Sequence, residues 1–104
     1  MIVRVDDDLR VTLDEPEDLK GFKVVAPEGA DVGAALQGAL AGIVSADGGA
    51  HLLVAWVRQQ ALAAGAGDGW EADFEAMLAF AASRGWVDPT GTSIQAHIER
   101  TTTI

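Results

Sequence analysis

Apolar and polar positions alternate through the first quarter of the chain and then take up a helical period. Residues 1–5 are β-prone, and residues 9–13 (Leu-Arg-Val-Thr-Leu) alternate side by side, so both read as strands. In the second, Leu9, Val11 and Leu13 would face a core while Arg10 and Thr12 face water. Asp6, Asp7 and Asp8 between them suit a tight turn, because short carboxylates bond nearby backbone N–H groups. Residues 14–18 break the sheet, with Pro16 placed to open a helical turn, and residues 22–26 resume as a strand closed by Pro27 and Gly29.

Asp31 is a good helix N-cap, and Val32, Leu36, Leu40 and Ile43 follow at spacings of four, four and three, one face of a helix. Gly33, Gly38 and Gly42 weaken that helix by roughly 1 kcal/mol each relative to alanine, and would admit a neighbouring backbone closely. Residues 43–45 and 51–54 are apolar runs on either side of Asp47-Gly48-Gly49, the pattern of a β-hairpin. The same stretch, residues 43–57, also reads as two helices joined at those glycines. The hairpin is preferred, passing into a short helix near residues 56–64.

A loop at residues 65–69 precedes the clearest helix of the chain, residues 71–84. Trp70, Phe74, Met77, Leu78 and Ala81 keep the helical period, and Glu71, Asp73 and Glu75 sit at its positive end. Gly85 would end it as a left-handed cap, after which Trp86 would pack back on the core. Asp88-Pro89-Thr90-Gly91 makes a turn. Residues 92–100 then alternate again, with Ile94, Ala96 and Ile98 on one face and Ser93, Gln95, His97 and Glu99 on the other. This last strand is expected to pair with one of the N-terminal strands, and residues 101–104 to extend it or fray. Together these elements predict one α+β domain over residues 1–104, a small antiparallel sheet of about four to six strands covered on one face by two or three helices.

Composition adds limits rather than an activity. The 104 residues are 49% apolar and 22% charged, which is a folding composition and not a disordered one. Absence of cysteine removes disulfides, thiolate metal sites and thiol catalysis, and fits a reducing compartment. The N-terminal residues turn acidic too soon for a signal peptide, and apolar runs such as residues 52–57 fall far short of the ~20 residues of a membrane span. The expectation is a cytoplasmic protein without membrane contact. Sixteen Asp and Glu against seven Lys and Arg, a net charge of −9, disfavour nucleic acid and would steer a basic protein or a cationic small molecule, besides keeping the chain soluble.

Candidate chemistry lies mainly on the polar face of the last strand. Gln95, His97 and Glu99 would project from one side of a sheet at about 7 Å intervals. A histidine beside a carboxylate can serve as general base, pH sensor or metal ligand. A half-solvated antiparallel sheet presents the same pattern with no function at all. His51, beside the Asp-Gly turn, could meet His97, and Asp88 could add a third ligand; zinc sites need three or four, so no metal is assigned. Trp70, opening a helix after a flexible loop, could line a pocket, although large aromatics more often pack in cores. No calcium loop, phosphate-binding loop or serine elbow is present, and no cofactor is indicated.

Three functional expectations follow. The first is an interaction or binding module, a homo-oligomer or the receptor of a basic protein partner. The second is a small enzyme or small-molecule binder with a cup-like site between sheet and helix, built on His97, Glu99 and Gln95 with Trp70. The third is an acidic inhibitor that masks a basic partner.

Overall fold

Asp6 accepts two backbone N–H groups through one carboxylate oxygen, from Asp8 at 2.9 Å and Arg10 at 2.8 Å, and so folds the chain back on itself. The computed structural model, which describes residues 1–101, places β1 (Ile2–Val5) and β2 (Val11–Asp14) on either side of that turn as an antiparallel pair. Because Arg10 is held by Asp6, Leu9 belongs to the turn: its φ is +63° and it is 39% exposed. The expectation that Leu9 shares a core face with Val11 and Leu13 is corrected here; only the latter two pack against the core.

Residues 15–22 cross to the other edge of β1, with Asp18 N–H closing a turn at Pro16 on the Glu15 carbonyl (3.0 Å). β3 (Lys23–Pro27) therefore lies parallel to β1, with Val3 opposite Val24. α1 (Val32–Gly38) begins where Asp31 accepts the Ala34 N–H at 3.0 Å. It is shorter than the apolar spacing predicts. After Gly38 the chain reverses, Leu40 taking φ +56° and Ala41 N–H bonding the Leu36 carbonyl at 2.8 Å. Leu40 and Ile43, expected on the helix's buried face, are instead 78% and 54% exposed.

Ile43 belongs to β4 (Gly42–Val44), which pairs antiparallel with β5 (Ala50–Leu53), so of the ambiguous stretch 43–57 the part up to Leu53 adopts the hairpin and residues 54–57 open a helix. The strands approach closely because position 42 is glycine: a Cβ there would overlap the His51 backbone carbonyl. α2 (Val54–Ala63) follows directly. α3 (Trp70–Ser83) starts after Gly69, whose left-handed conformation (φ +85°) turns the chain into it, and carries Glu71 and Asp73 in its first turn.

Residues 93–101 form two strands, not one. β6 (Ser93–Ala96) pairs antiparallel with β5, and β7 (Ile98–Thr101) pairs parallel with β3. The bend falls on His97, whose carbonyl accepts the Val24 N–H at 3.0 Å. Pairing with an N-terminal strand is thus realised by the second half alone; residues 102–104, expected to extend it or fray, lie outside the described residues.

The result is an α+β domain with, among the described residues, three helices and seven strands, divided into a four-stranded sheet of order β2-β1-β3-β7 and a three-stranded sheet of order β4-β5-β6. The two parallel pairings arise where a strand arrives after a crossing segment, whereas each tight turn yields an antiparallel pair. Val3, Val24, Leu36, Leu52, Val57 and Phe74 are fully buried between the sheets and helices. Among the described residues no polar or charged side chain is buried, so chemistry has to reside in surface clefts. No helix among them is long and apolar enough to cross a membrane.

Candidate functional site

The end of α3 shapes the site. Gly85 adopts φ +79° and donates to the Ala82 carbonyl at 3.0 Å, while Trp86 N–H reaches back to the Ala81 carbonyl at 2.9 Å. These two bonds are a Schellman cap, which needs a residue without Cβ strain at its left-handed position. The chain leaves the cap alongside β6. Gln95 N–H donates to the Trp86 carbonyl at 2.7 Å, and Asp88 N–H to the Ser93 carbonyl at 3.1 Å. Trp86 is thereby fixed beside the outer residues of β6. The expectation that it closes the core is corrected: it is 46% exposed and packs edge-on against Phe80, with centroids 6.1 Å apart and planes at 72°.

Between this aromatic pair, the loop before β3 and the bend at His97 lies a cleft of about 370 Å³. Phe80 and Trp86 wall it on the helix side, Phe22 on the loop side, and Gln95 and His97 from the sheet. A second lobe of about 280 Å³ opens beside it, sharing Phe22, Trp86, Gln95 and His97. The bend does the positioning. Gln95 is still in the three-stranded sheet, Ala96 is buried opposite Ala50, and His97 turns out at the junction of the two sheets.

Two of the residues singled out from the sequence, Gln95 and His97, therefore meet in one cleft. Glu99 lies past the bend on β7, where its carboxylate binds Lys23 Nζ at 2.8 Å. The Lys23 hydrogen bond and charge hold its pKa below the ordinary glutamate value, and His97 acts in the same direction. Trp70 sits elsewhere, 5% exposed, stacked on Phe74 at 4.7 Å, with its indole N–H donating to the Pro16 carbonyl at 2.6 Å. His51 is opposite Gln95 in the β5–β6 register but lines a different hollow from His97. Asp88 is engaged in its own turn, accepting Thr92 and Ser93 N–H groups at 2.6 and 3.1 Å and the Thr90 hydroxyl at 2.9 Å. Those donors, the Ser93 amide foremost, lower its pKa. Among the described residues, no three His, Asp or Glu side chains are grouped to hold a metal ion.

Phe22, Phe80, Trp86 and the two lysines nearby were not selected by sequence reasoning. Phe80 carried a legible signal: it lies outside the Trp70, Phe74, Ala81 stripe that α3 buries, an aromatic on an otherwise solvated face. The hollow lined by His51 measures about 490 Å³ and includes Leu40, Ile43 and Leu53, with no Asp, Glu, Lys or Arg in its lining. Comparison with protein-family models, curated proteins and solved structures finds no match to this chain.

Proposed function

We propose that this single α+β domain is a binding module whose ligand site is the cleft between α3 and the bend at His97. The observation that carries the reading is the convergence of Phe22, Phe80 and Trp86 with the Gln95 amide and the His97 imidazole on one concavity. Pockets that hold small molecules combine an apolar lining with a few convergent polar groups, and this cleft falls in their lower size range of about 300–1,000 Å³. A ligand covering about 100 Å² of apolar surface across the two lobes gains roughly 2–3 kcal/mol. Millimolar binding takes about 4 kcal/mol, so the aromatic wall supplies more than half of it. Gln95 and His97 would then supply selectivity and the remaining affinity. Binding is favoured over acid–base turnover because a histidine base is normally oriented by a third group, and Glu99 is engaged by Lys23.

Native mass spectrometry of the protein purified gently from its own cells tests the reading. A small-molecule adduct is expected on the wild-type chain, lost in Trp86→Ala and weakened in His97→Ala. An adduct that survives both replacements places the ligand elsewhere and removes the proposal.

A second reading, an interaction surface joining two copies of the chain, has its own observation. Leu40, Ile43 and Leu53 are 78%, 54% and 36% exposed around the uncharged hollow. β4 beside it is an edge strand. Leu53 N–H bonds the Ala41 carbonyl at 2.8 Å and Ser45 N–H the Gly49 carbonyl at 2.9 Å, so the alternate peptide groups of Gly42 and Val44 point away from β5. An open edge of this kind is a template for another strand. An uncharged patch would let two chains of net charge −9 meet without placing like charges face to face. The basic-partner and inhibitor readings rest on the net charge alone.

A further inference from the structure

We propose that the cleft takes a small organic anion, an apolar ring-sized body carrying a carboxylate or similar oxyacid head. The inference rests on the cleft being the ligand site, and it follows from how charge is distributed around it. The chain has sixteen acidic residues and only two lysines, yet both lysines, Lys20 and Lys23, line this cleft and no Asp or Glu does. A third cation touches a wall residue without lining the cleft: the Arg84 guanidinium lies 5.1 Å from the centroid of the Phe80 ring. The charged residues of the lining are therefore opposite in sign to the molecule as a whole.

The acids near the cleft must be set against these cations. Glu99 pairs with Lys23 at 2.8 Å and cancels its charge at the rim. Asp18 accepts the Lys20 backbone N–H at 3.1 Å, two residues along the chain. Lys20 has no ion pair among the described residues, and its side chain is exposed at the cleft. Glu15 and Glu17, on the same segment as Lys20, line a separate hollow with Asp18 and residues 64–66, and no acid lines the cleft itself. At physiological ionic strength charges farther off than about 8 Å are largely screened, whereas groups touching the ligand are not. The net charge slows the approach of an anion, but the cleft's own cations decide its affinity once it is bound.

The shape of the wall selects the body of the ligand. Phe80 and Trp86, set edge to face, form an angled apolar surface, and Phe22 continues it into the second lobe. A flat ring covers such a surface at low entropic cost. Its head group would then meet Lys20, with the Gln95 amide and the His97 ring as further donors. Lysine is suited to this as a mobile point charge with three donors.

The test uses three probes of matched ring and different charge: 1-naphthoate, 1-naphthylmethanol and 1-naphthylmethylammonium. Binding is read from the Trp86 indole N–H and the His97 amide in two-dimensional NMR of the ¹⁵N-labelled full chain. The naphthoate is expected to bind about tenfold or more tightly than the alcohol, with the ammonium weakest. Lys20→Gln should bring the naphthoate down to the alcohol's affinity and leave the alcohol unchanged. Glu99→Gln, which releases Lys23, should tighten the naphthoate further. If the alcohol or the ammonium binds the wild-type cleft as tightly as the naphthoate, the anion preference is overturned and the cleft stands. If none of the three shifts Trp86, the cleft itself fails as the ligand site and this inference with it.

Discussion

Gly85 decides where Trp86 stands. Its φ of +79° lets the two capping bonds form, and the chain leaves α3 in the direction that brings Trp86 beside Phe80 and Gln95. An L-residue in that conformation costs about 1–2 kcal/mol. Gly85→Ala is therefore expected to lower the Tm by on the order of 5–10 °C and to shift the Trp86 indole resonance; an unmoved Tm would show that the cap bears no strain. Asp88 acts on the same segment from the other side, tying Thr92 and Ser93 to the turn. Its pKa is lowered in the folded chain, so its contribution to stability is present above the ordinary aspartate value of 3.8 and fades as the pH falls through the lower folded value. The Tm difference between wild type and Asp88→Asn should accordingly be constant near neutrality and close below about pH 4. A difference that persists unchanged at pH 2 would assign the effect to geometry rather than charge.

α3 is the element that the residue pattern describes best, because its apolar stripe, acidic first turn and terminal glycine all point to one structure. Its weight in the fold rests on Phe74, which is fully buried, stacked on Trp70 and covered by the Arg58 guanidinium at 5.4 Å. Phe74→Ala should cost about 3–5 kcal/mol, measured by urea unfolding; a loss under 1 kcal/mol would mean the site collapses around the gap. α1 shows the opposite case. The spacing of Val32, Leu36, Leu40 and Ile43 fits a helix face, but it runs across a chain reversal, and Leu40 and Ile43 end on the surface. What the period conceals, the glycines mark: Gly42 is there so that β4 can lie against β5. Gly42→Ala should destabilise by about 2 kcal/mol or more through overpacking, seen as a lower urea midpoint. A wild-type midpoint would mean that the hairpin yields without cost.

For the whole molecule, charge and exposed apolar surface pull in different directions. A net charge of −9 opposes self-association, while the uncharged patch around Ile43 and the open edge of β4 favour it. If two copies pair there, sedimentation velocity should give a dimer whose population rises with salt, and Ile43→Glu should be monomeric throughout. A wild-type chain that stays monomeric at millimolar concentration would leave the cleft as the sole binding reading. The alternation of residues 92–100 determined correctly which side chains avoid the core, since Ile94 and Ala96 are buried while Gln95, His97 and Glu99 are exposed. It could not reveal that the strand changes sheets at His97, because period-two alternation records only inside and outside, and both sheets share one inside. Local pattern and composition were enough for the α+β class, the cap at Gly85 and the acidic character, since each depends on neighbours a few residues apart or on composition; for residues 43–57 they favoured a hairpin while leaving a helix pair open, because short apolar runs fit both. That Gln95 and His97 share a cleft with Phe22, Phe80 and both lysines, while Glu99 and His51 do not, came from the packing of the two sheets and α3. That grouping joins residues more than seventy positions apart, and no local propensity encodes which edges of two sheets come together.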